Sequence, residues 1–356
     1  MSKKLKLVAL FLMLLLLSGC TSVTKIALMT KLESGSLYGI SEVDSAKYYL
    51  KSNGINNIEI VPYNDGWDPE RIESVYNEIR EDDIDIIIAS HPSSCALELL
   101  DLINKEEDPV IVFFTASTTD RLSGVDDSIY RVIQDVEKEQ KSIAEYIATE
   151  EYNDLLVVRD TENYGYTEPA EEYFKKYYIG NLNVIDVHAS KFNSSEIEAV
   201  MQDYSFDAIY LLIGDYQANA GVIAQVAVKL NNEVDIYYTP WMKTPDIIDT
   251  AGNTIYQSVM PSHYPARNKD EEVNSYIEAY KKEYDYVPTF DSLNVFKVME
   301  VINQNIMQGK RDPISMKKNI DSIRSYETKL GPVNFDEFGD TETELFFIDD
   351  IKREFE

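Results

Sequence analysis

The feature that most constrains this chain is a recurring alternation of short apolar runs with stretches of helical periodicity. Lys25–Met29, Ile58–Pro62, residues 84–89 and Val110–Phe114 are β-branched or apolar runs too brief for helices, and each reads as a strand. Between them the spacing predicts helices over Tyr38–Leu50, from Asp68-Pro69-Glu70 onward, and over Cys95–Asn104. The loop before the first helix contains Ser34, Gly35 and Ser36. Strand–helix–strand spacing of this kind calls for a parallel sheet with helices on both faces. A second series starts with a helix from Glu137 to Glu150. Strands at Leu155–Val158, Val184–Val187, Ala208–Ile213, Ile236–Thr239 and Ile255–Met260 follow, with helices near 168–178, 194–203 and 217–229. Two successive doubly wound series predict two α/β lobes. From Asp270 to Ile323 the pattern is helical, Gly331-Pro332 breaks it, and Leu345–Ile348 reads as a last strand. In such sheets ligands lie beyond the carboxyl ends of the strands, so the loops at 31–38, 63–68, 90–94 and 115–121 are expected to share one edge.

The stretch Asp85-Ile86-Ile87-Ile88-Ala89-Ser90-His91-Pro92-Ser93-Ser94 concentrates that geometry. A buried strand stops at Pro92, and Ser93 or Ser94 is expected to cap the next helix. Free backbone N–H groups and the positive end of the helix dipole then face the space beyond the strand, beside serine hydroxyls, which suits a carboxylate. The plainer role of the same serines is capping alone.

With 33 basic and 63 acidic residues the net charge is −30, a surface that repels phosphate backbones and excludes nucleic-acid binding as the function. The N-terminus has the form of an export signal: Lys3, Lys4 and Lys6 precede the apolar run Leu7–Leu17, which is shorter than the roughly 20 residues needed to span a bilayer. It ends in Leu17-Ser18-Gly19-Cys20, which resembles a bacterial lipoprotein signal. Residues 1–19 are then a signal peptide, Cys20 a lipid anchor, and 20–24 a tether. Two acyl chains on one residue suffice for stable anchoring. Cys95, the only other cysteine, is left without a disulfide partner and reads as a buried thiol. Usage rich in Lys, Asn, Ile and Asp points to a low-GC Gram-positive cell surface.

Enzyme signatures are sparse. The chain lacks a Gly-x-Ser-x-Gly elbow, a phosphate loop and a His-Glu-x-x-His motif. His91, His188 and His263 are not at metal-ligand spacing, so neither metal nor cofactor is expected. His91 beside Ser93 and Ser94 leaves a serine hydrolase as the rival reading. The acidic run Asp336, Glu337, Asp340, Glu342 and Glu344 reads as a solvated turn. Tyr38, Tyr63, Tyr164, Tyr216, Trp67 and Trp241 fall in loops on the expected ligand edge, where aromatic rings suit the capture of small molecules.

Several stretches resemble the type I solute-binding proteins of the branched-chain amino acid (leucine/isoleucine/valine) family that serve ABC transporters. They are Tyr63-Asn64-Asp65-Gly66-Trp67-Asp68-Pro69, Ser90-His91-Pro92-Ser93-Ser94, Asp160-Thr161-Glu162-Asn163-Tyr164-Gly165, and Gly331-Pro332-Val333-Asn334-Phe335-Asp336-Glu337-Phe338-Gly339-Asp340. The resemblance implies two doubly wound lobes with a ligand cleft between them, joined by three crossovers. Lobe 1 would comprise 25–136 with 262–330, and lobe 2 would comprise 137–261 with 331–356. It implies a non-catalytic, monomeric receptor that hands its solute to permease subunits. A same-fold sensor docking on a signalling partner is the alternative within the fold. By the family pattern Ser94, with Ser93 beside it, binds the ligand carboxylate, and Ala116, Ser117 and Thr118 supply further contacts. Tyr38 and Tyr164 match the family's cleft aromatics. Asp215 and Tyr216 join them on the predicted edge.

Two departures stand out. Where some members carry a cysteine pair, this chain has Trp67 and Ser93. Where the family places the carboxylate that meets the ligand ammonium, Pro240 is followed by Trp241. A buried ammonium without a partner costs roughly 3–5 kcal/mol. The expected ligand is therefore a carboxylate with an apolar or aromatic body, or an amino acid or short peptide held in an altered pose. Glu33 and Asp215 are the acids on the same edge that could compensate.

Overall fold

A computed structural model describes residues 23–33, 36–191 and 193–355. The proposed signal, Cys20, and Ser34 and Gly35 of the first loop lie outside the described residues. Two sheets organise the molecule. The first has strand order β2-β1-β3-β4-β5, all parallel: β1 Thr24–Thr30, β2 Ile58–Asn64, β3 Ile86–Ala89, β4 Ile111–Phe114 and β5 Ile129–Arg131. Its side chains divide with period two. Ile26, Leu28, Ile86, Ile88, Ile111 and Phe113 enter one core, whereas Ala27, Met29, Ile87, Ala89, Val112 and Phe114 enter another. Both faces are covered, which is why these strands are continuously apolar rather than alternating.

The second sheet has order β13-β10-β9-β8-β6-β7, with β6 Asp154–Asp160, β7 Asn181–Val187, β8 Ala208–Leu212, β9 Asp235–Tyr237, β10 Ser258–Ser262 and β13 Phe346–Ile348. Only β13 runs antiparallel to its neighbour. A two-stranded ribbon, β11 Ser325–Tyr326 with β12 Val333–Asn334, stands apart. The helices are α1 Leu37–Ser52, α2 Ile72–Glu81, α3 Ser93–Ile103, α4 Val136–Ala148, α5 Tyr164–Tyr177, α6 Ser194–Met201, α7 Gln217–Leu230, α8 Pro245–Ala251, α9 Glu271–Tyr284, α10 Phe290–Met307 and α11 Pro313–Ile323. Among the described residues no helix is long and apolar enough to cross a membrane.

The chain passes between the two cores three times. Val132 packs with the first and Val136 with the second, Met260 with the second and Tyr264 with the first, and Phe335 with the first and Leu345 with the second.

Local expectations needed four corrections. The strand expected over Ile255–Met260 begins at Ser258, because 3-10 turns occupy Gly252–Gln257. α5 begins at Tyr164 rather than near 168. Neither Ser93 nor Ser94 caps α3: Pro92 is the N-cap, and the two serines form the first turn. Asp340 is not solvated. Its carboxylate is 2.5 Å from Nη2 of the buried Arg131 and also accepts the Gly124 N–H, tying the closing motif to β5. Gly339 permits that docking: it has φ of 85°, and a Cβ there would lie 2.5 Å from the Ile129 carbonyl oxygen.

Candidate functional site

In each sheet the first crossover runs to one side and the next to the other, so strand order reverses between β1 and β3 and again between β6 and β8. Loops at such a point diverge and leave a crevice at the carboxyl edge. The two crevices face each other. Tyr38, Trp67, His91, Pro92, Ser93, Ala116 and Asp291 come from the first lobe. Asn163, Tyr166, Gly214 and Trp241 come from the second. Together they line a narrow cleft between the lobes.

The lobes touch along the cleft. The Tyr38 hydroxyl donates to the Trp241 carbonyl oxygen at 3.0 Å, and Gln217 Nε2 donates to the same oxygen at 3.2 Å. The start of α5 meets the start of α3: the Ser94 N–H points to Asn163 Oδ1 at 3.4 Å, and Gly165 sits against the Ser93–Ser94 backbone. At the rim Tyr173 donates to Asp120 Oδ2 at 3.0 Å, and Lys31 Nζ stands 3.8 Å from Asp215.

Of the residues singled out from sequence, Tyr38, Ser93, Ala116 and Trp241 line the central cleft. Ser94, Asp215 and Tyr216 line adjoining hollows, and Glu33, paired with Arg71, lines one of these. Ser117, Thr118 and Tyr164 line none of them. The Ser117 hydroxyl donates inward to the His91 carbonyl at 2.6 Å. Tyr164 is 41% exposed, and Tyr166, two residues on, is the aromatic that reaches the cleft. Ser93 contributes through Oγ, which accepts the N–H groups of Thr118 and Thr119 at 3.2 and 3.3 Å. The loops of residues 67 and 90–94 are joined by Trp67 Nε1, which donates to the Ser90 carbonyl at 2.9 Å.

Sequence reasoning missed Asn163 and Asp291 as cleft residues and read His91 differently. His91 is fully buried, with Nδ1 2.9 Å from Asp65 Oδ2 and Nε2 without a partner. Neither Ser93 nor Ser94 bonds to the ring, so no hydrolytic pair is assembled. The Trp241 indole N–H is also buried, near the Tyr166 hydroxyl but outside hydrogen-bond geometry. The cleft thus offers four aromatic walls and polar atoms awaiting a partner.

Behind it lie buried acids. Burial raises the Glu42 pKa to about 8 against the pull of hydrogen bonds from Ser90 and Thr30, and raises that of Glu139 to about 7 against bonds from Tyr166 and Gln140. Burial likewise pushes the Cys95 thiol up, as expected for an unreactive core cysteine.

The fold and the cleft are those of a two-lobed receptor of small solutes. The chain belongs to the periplasmic binding protein family, whose pattern matches residues 18–348; it is a binding protein and not an enzyme. It is similar to the Leu/Ile/Val-binding protein of Escherichia coli (strain K12), at 21% identity over 294 residues covering 80% of this chain and 77% of that one. In fold it is similar to the leucine-binding protein LivK from Thermotoga maritima, with TM-score 0.81 and 18% identity over 91% of this chain and 95% of that one. A solute-binding protein of an ABC transporter from Rhodopseudomonas palustris, in complex with 3,4-dihydroxybenzoic acid, gives TM-score 0.78 and 18% identity over 91% and 92% of the two chains.

Proposed function

We propose that this protein captures a small, amino-acid-like carboxylate with an apolar or aromatic body and delivers it to the permease of an ABC importer, held at the membrane by lipid on Cys20. The observation that carries the reading is the cleft at the two strand-order reversals, walled by Tyr38, Trp67, Tyr166 and Trp241. Rings on both lobes grip an apolar body, while the Ser93 hydroxyl and the Trp241 N–H offer donors to a carboxylate. Relatives named for leucine and one holding an aromatic acid support the ligand class. The lobes divide as 25–136 with 262–330 and 137–261 with 331–356, except that the packing of Val333 and Phe335 carries the first lobe a few residues past 330.

A thermal-shift screen of amino acids and aromatic or aliphatic carboxylates tests this. At 100 times its dissociation constant a ligand stabilises by about 2.7 kcal/mol. An aromatic or bulky carboxylate should give the largest shift, and Trp241→Ala should abolish it. Leucine as the best ligand, with a shift indifferent to Trp241→Ala, would overturn this view of the pocket. For the anchor, Cys20→Ala should release the protein from membranes into the soluble fraction. Retention of that variant would rule the lipid out.

A further inference from the structure

One acid in the cleft has nothing to neutralise it. Asp291 stands in the first turn of α10, only 1% exposed, and its Oδ1 is buried without a hydrogen-bond partner. The other buried acids of this lobe are provided for. Glu42 receives the hydroxyls of Thr30 and Ser90, Asp65 faces His91 Nδ1 and accepts the Trp67 backbone N–H, and Asp340 takes Arg131. Burial, and then the neighbouring carboxyl of Glu42, hold the Asp291 pKa well above the usual carboxylate range. An acid buried beside an acid, with no donor, is costly to keep for stability alone. Its position is specific: it lines the cleft beside Tyr38, across from the loop where Trp241 stands.

We propose that Asp291 is the cation subsite of the cleft and receives the ammonium group of the bound solute. This rests on the solute-binding reading above and sharpens it. The solute then carries an ammonium as well as a carboxylate, joined to an apolar or aromatic body. The aromatic walls support the same assignment, because the faces of Tyr and Trp rings attract cations that water no longer screens. The ammonium partner has thus moved from the second-lobe loop of the resembled family, where Trp241 stands, to a helix start in the first lobe. Closing the lobes would bury the new pair and connect the ligand to both.

Matched ligand pairs test this without any variant: phenylalanine against 3-phenylpropionate, and leucine against 4-methylpentanoate, with glycine betaine to separate a quaternary from a primary ammonium. By calorimetry on the wild-type protein, at least one amino acid should bind about 30-fold or more tightly than its deamino partner, as expected for a charge that loses its buried partner. Betaine binding above both amino acids that Asp291→Asn abolishes would assign the subsite to a methylated ammonium, and betaine binding that survives Asp291→Asn would overturn the proposal. Asp291→Asn keeps the shape but cannot ionise to meet an ammonium. It should melt at or above the wild-type temperature without ligand, lose the preference for the amino acid, and bind the deamino acid within about threefold of wild type. Equal binding of the two members of every pair, or Asp291→Asn retaining the amino-acid affinity within threefold, would overturn the proposal while leaving carboxylate capture intact. No shift of the wild-type protein with any member of the panel would overturn both.

Discussion

Replacing Gly165 with alanine should weaken solute binding about 5- to 150-fold while leaving the melting temperature of the ligand-free protein unchanged. A Cβ at this position would lie 2.8 Å from the Ser94 nitrogen, 2.9 Å from the Ser93 carbonyl carbon and 3.0 Å from the Ser94 Cα. All three are backbone atoms of the opposite lobe, so no side chain can swing aside, and the lobes must stand further apart. Overpacking of this kind costs about 1–3 kcal/mol, which as a penalty on the closed form alone gives the stated range. Within its own lobe the substitution is benign, because Gly165 lies in the first turn of α5, where alanine favours the helix. The effect is therefore confined to the equilibrium between open and closed lobes, the hinge motion on which capture of this kind depends. Calorimetry with any ligand from the panel checks it. An affinity within twofold of wild type would show that closure does not bring these two helix starts together. X-ray scattering should show the alanine variant keeping a larger radius at saturating ligand.

The second large effect is on pH. Between pH 6.5 and 8 the ligand-free protein should lose stability as pH rises, with Glu42 and Glu139 together accounting for about 2–3 kcal/mol. Glu42, at about 8, and Glu139, at about 7, both titrate above their unfolded value, and burial is the main cause in each. Asp291 is displaced in the same direction. A carboxyl whose folded pKa is raised holds its proton longer in the native state. Its contribution is complete below the unfolded pKa and disappears as pH climbs through the folded one. Each proton held only by the folded state is worth about 1.36 kcal/mol per pH unit. His263 acts oppositely. Burial, with Lys243 and Lys297 nearby, lowers it to about 3, so it removes stability only as pH falls below about 6.5, the unfolded histidine value. Lys297, lowered to about 8 by burial, adds stability only above that point. The interval between belongs to the carboxyls. Urea melts at pH 6.5 and 8 should show the decline, and Glu42→Gln should make it shallower. A flat or rising profile in the wild-type protein would contradict the buried-acid assignment.

The sheet was legible in the sequence because its strands are buried on both faces, and uninterrupted runs such as Ile86–Ala89 and Ile111–Phe114 admit few other readings. The ligand edge followed from the strand–helix alternation, which puts every first-lobe loop after a strand on one side, and residues from all four loops meet there. What escaped was set by tertiary contact. Ile129–Arg131 is a three-residue edge strand whose last member is an arginine, buried because the Asp340 carboxylate, the Thr119 carbonyl and the Ser123 hydroxyl receive its guanidinium. α5 begins at Tyr164 with a glycine in its first turn, a weak helix signal whose reason lies in the backbone of the neighbouring lobe. From that start Tyr164 faces outward and Tyr166 the cleft. Asp291 was invisible for a different reason. An acid in the first turn of a helix is what helix electrostatics favour anywhere, and nothing in the local sequence distinguishes a solvated one from one walled in by aromatic rings.

The chain contains only two tryptophans, and the cleft holds both: Trp67 on the first lobe, with Lys31 Nζ 5.4 Å from its ring centre, and Trp241 on the second, packed 5.4 Å from Phe290. Every indole photon this protein emits therefore originates at its binding surface. The ultraviolet emission is a built-in optical gauge of cleft occupancy, free of background from the rest of the fold once excitation bypasses the tyrosines. Substituting either tryptophan with phenylalanine would leave the gauge reading one lobe at a time.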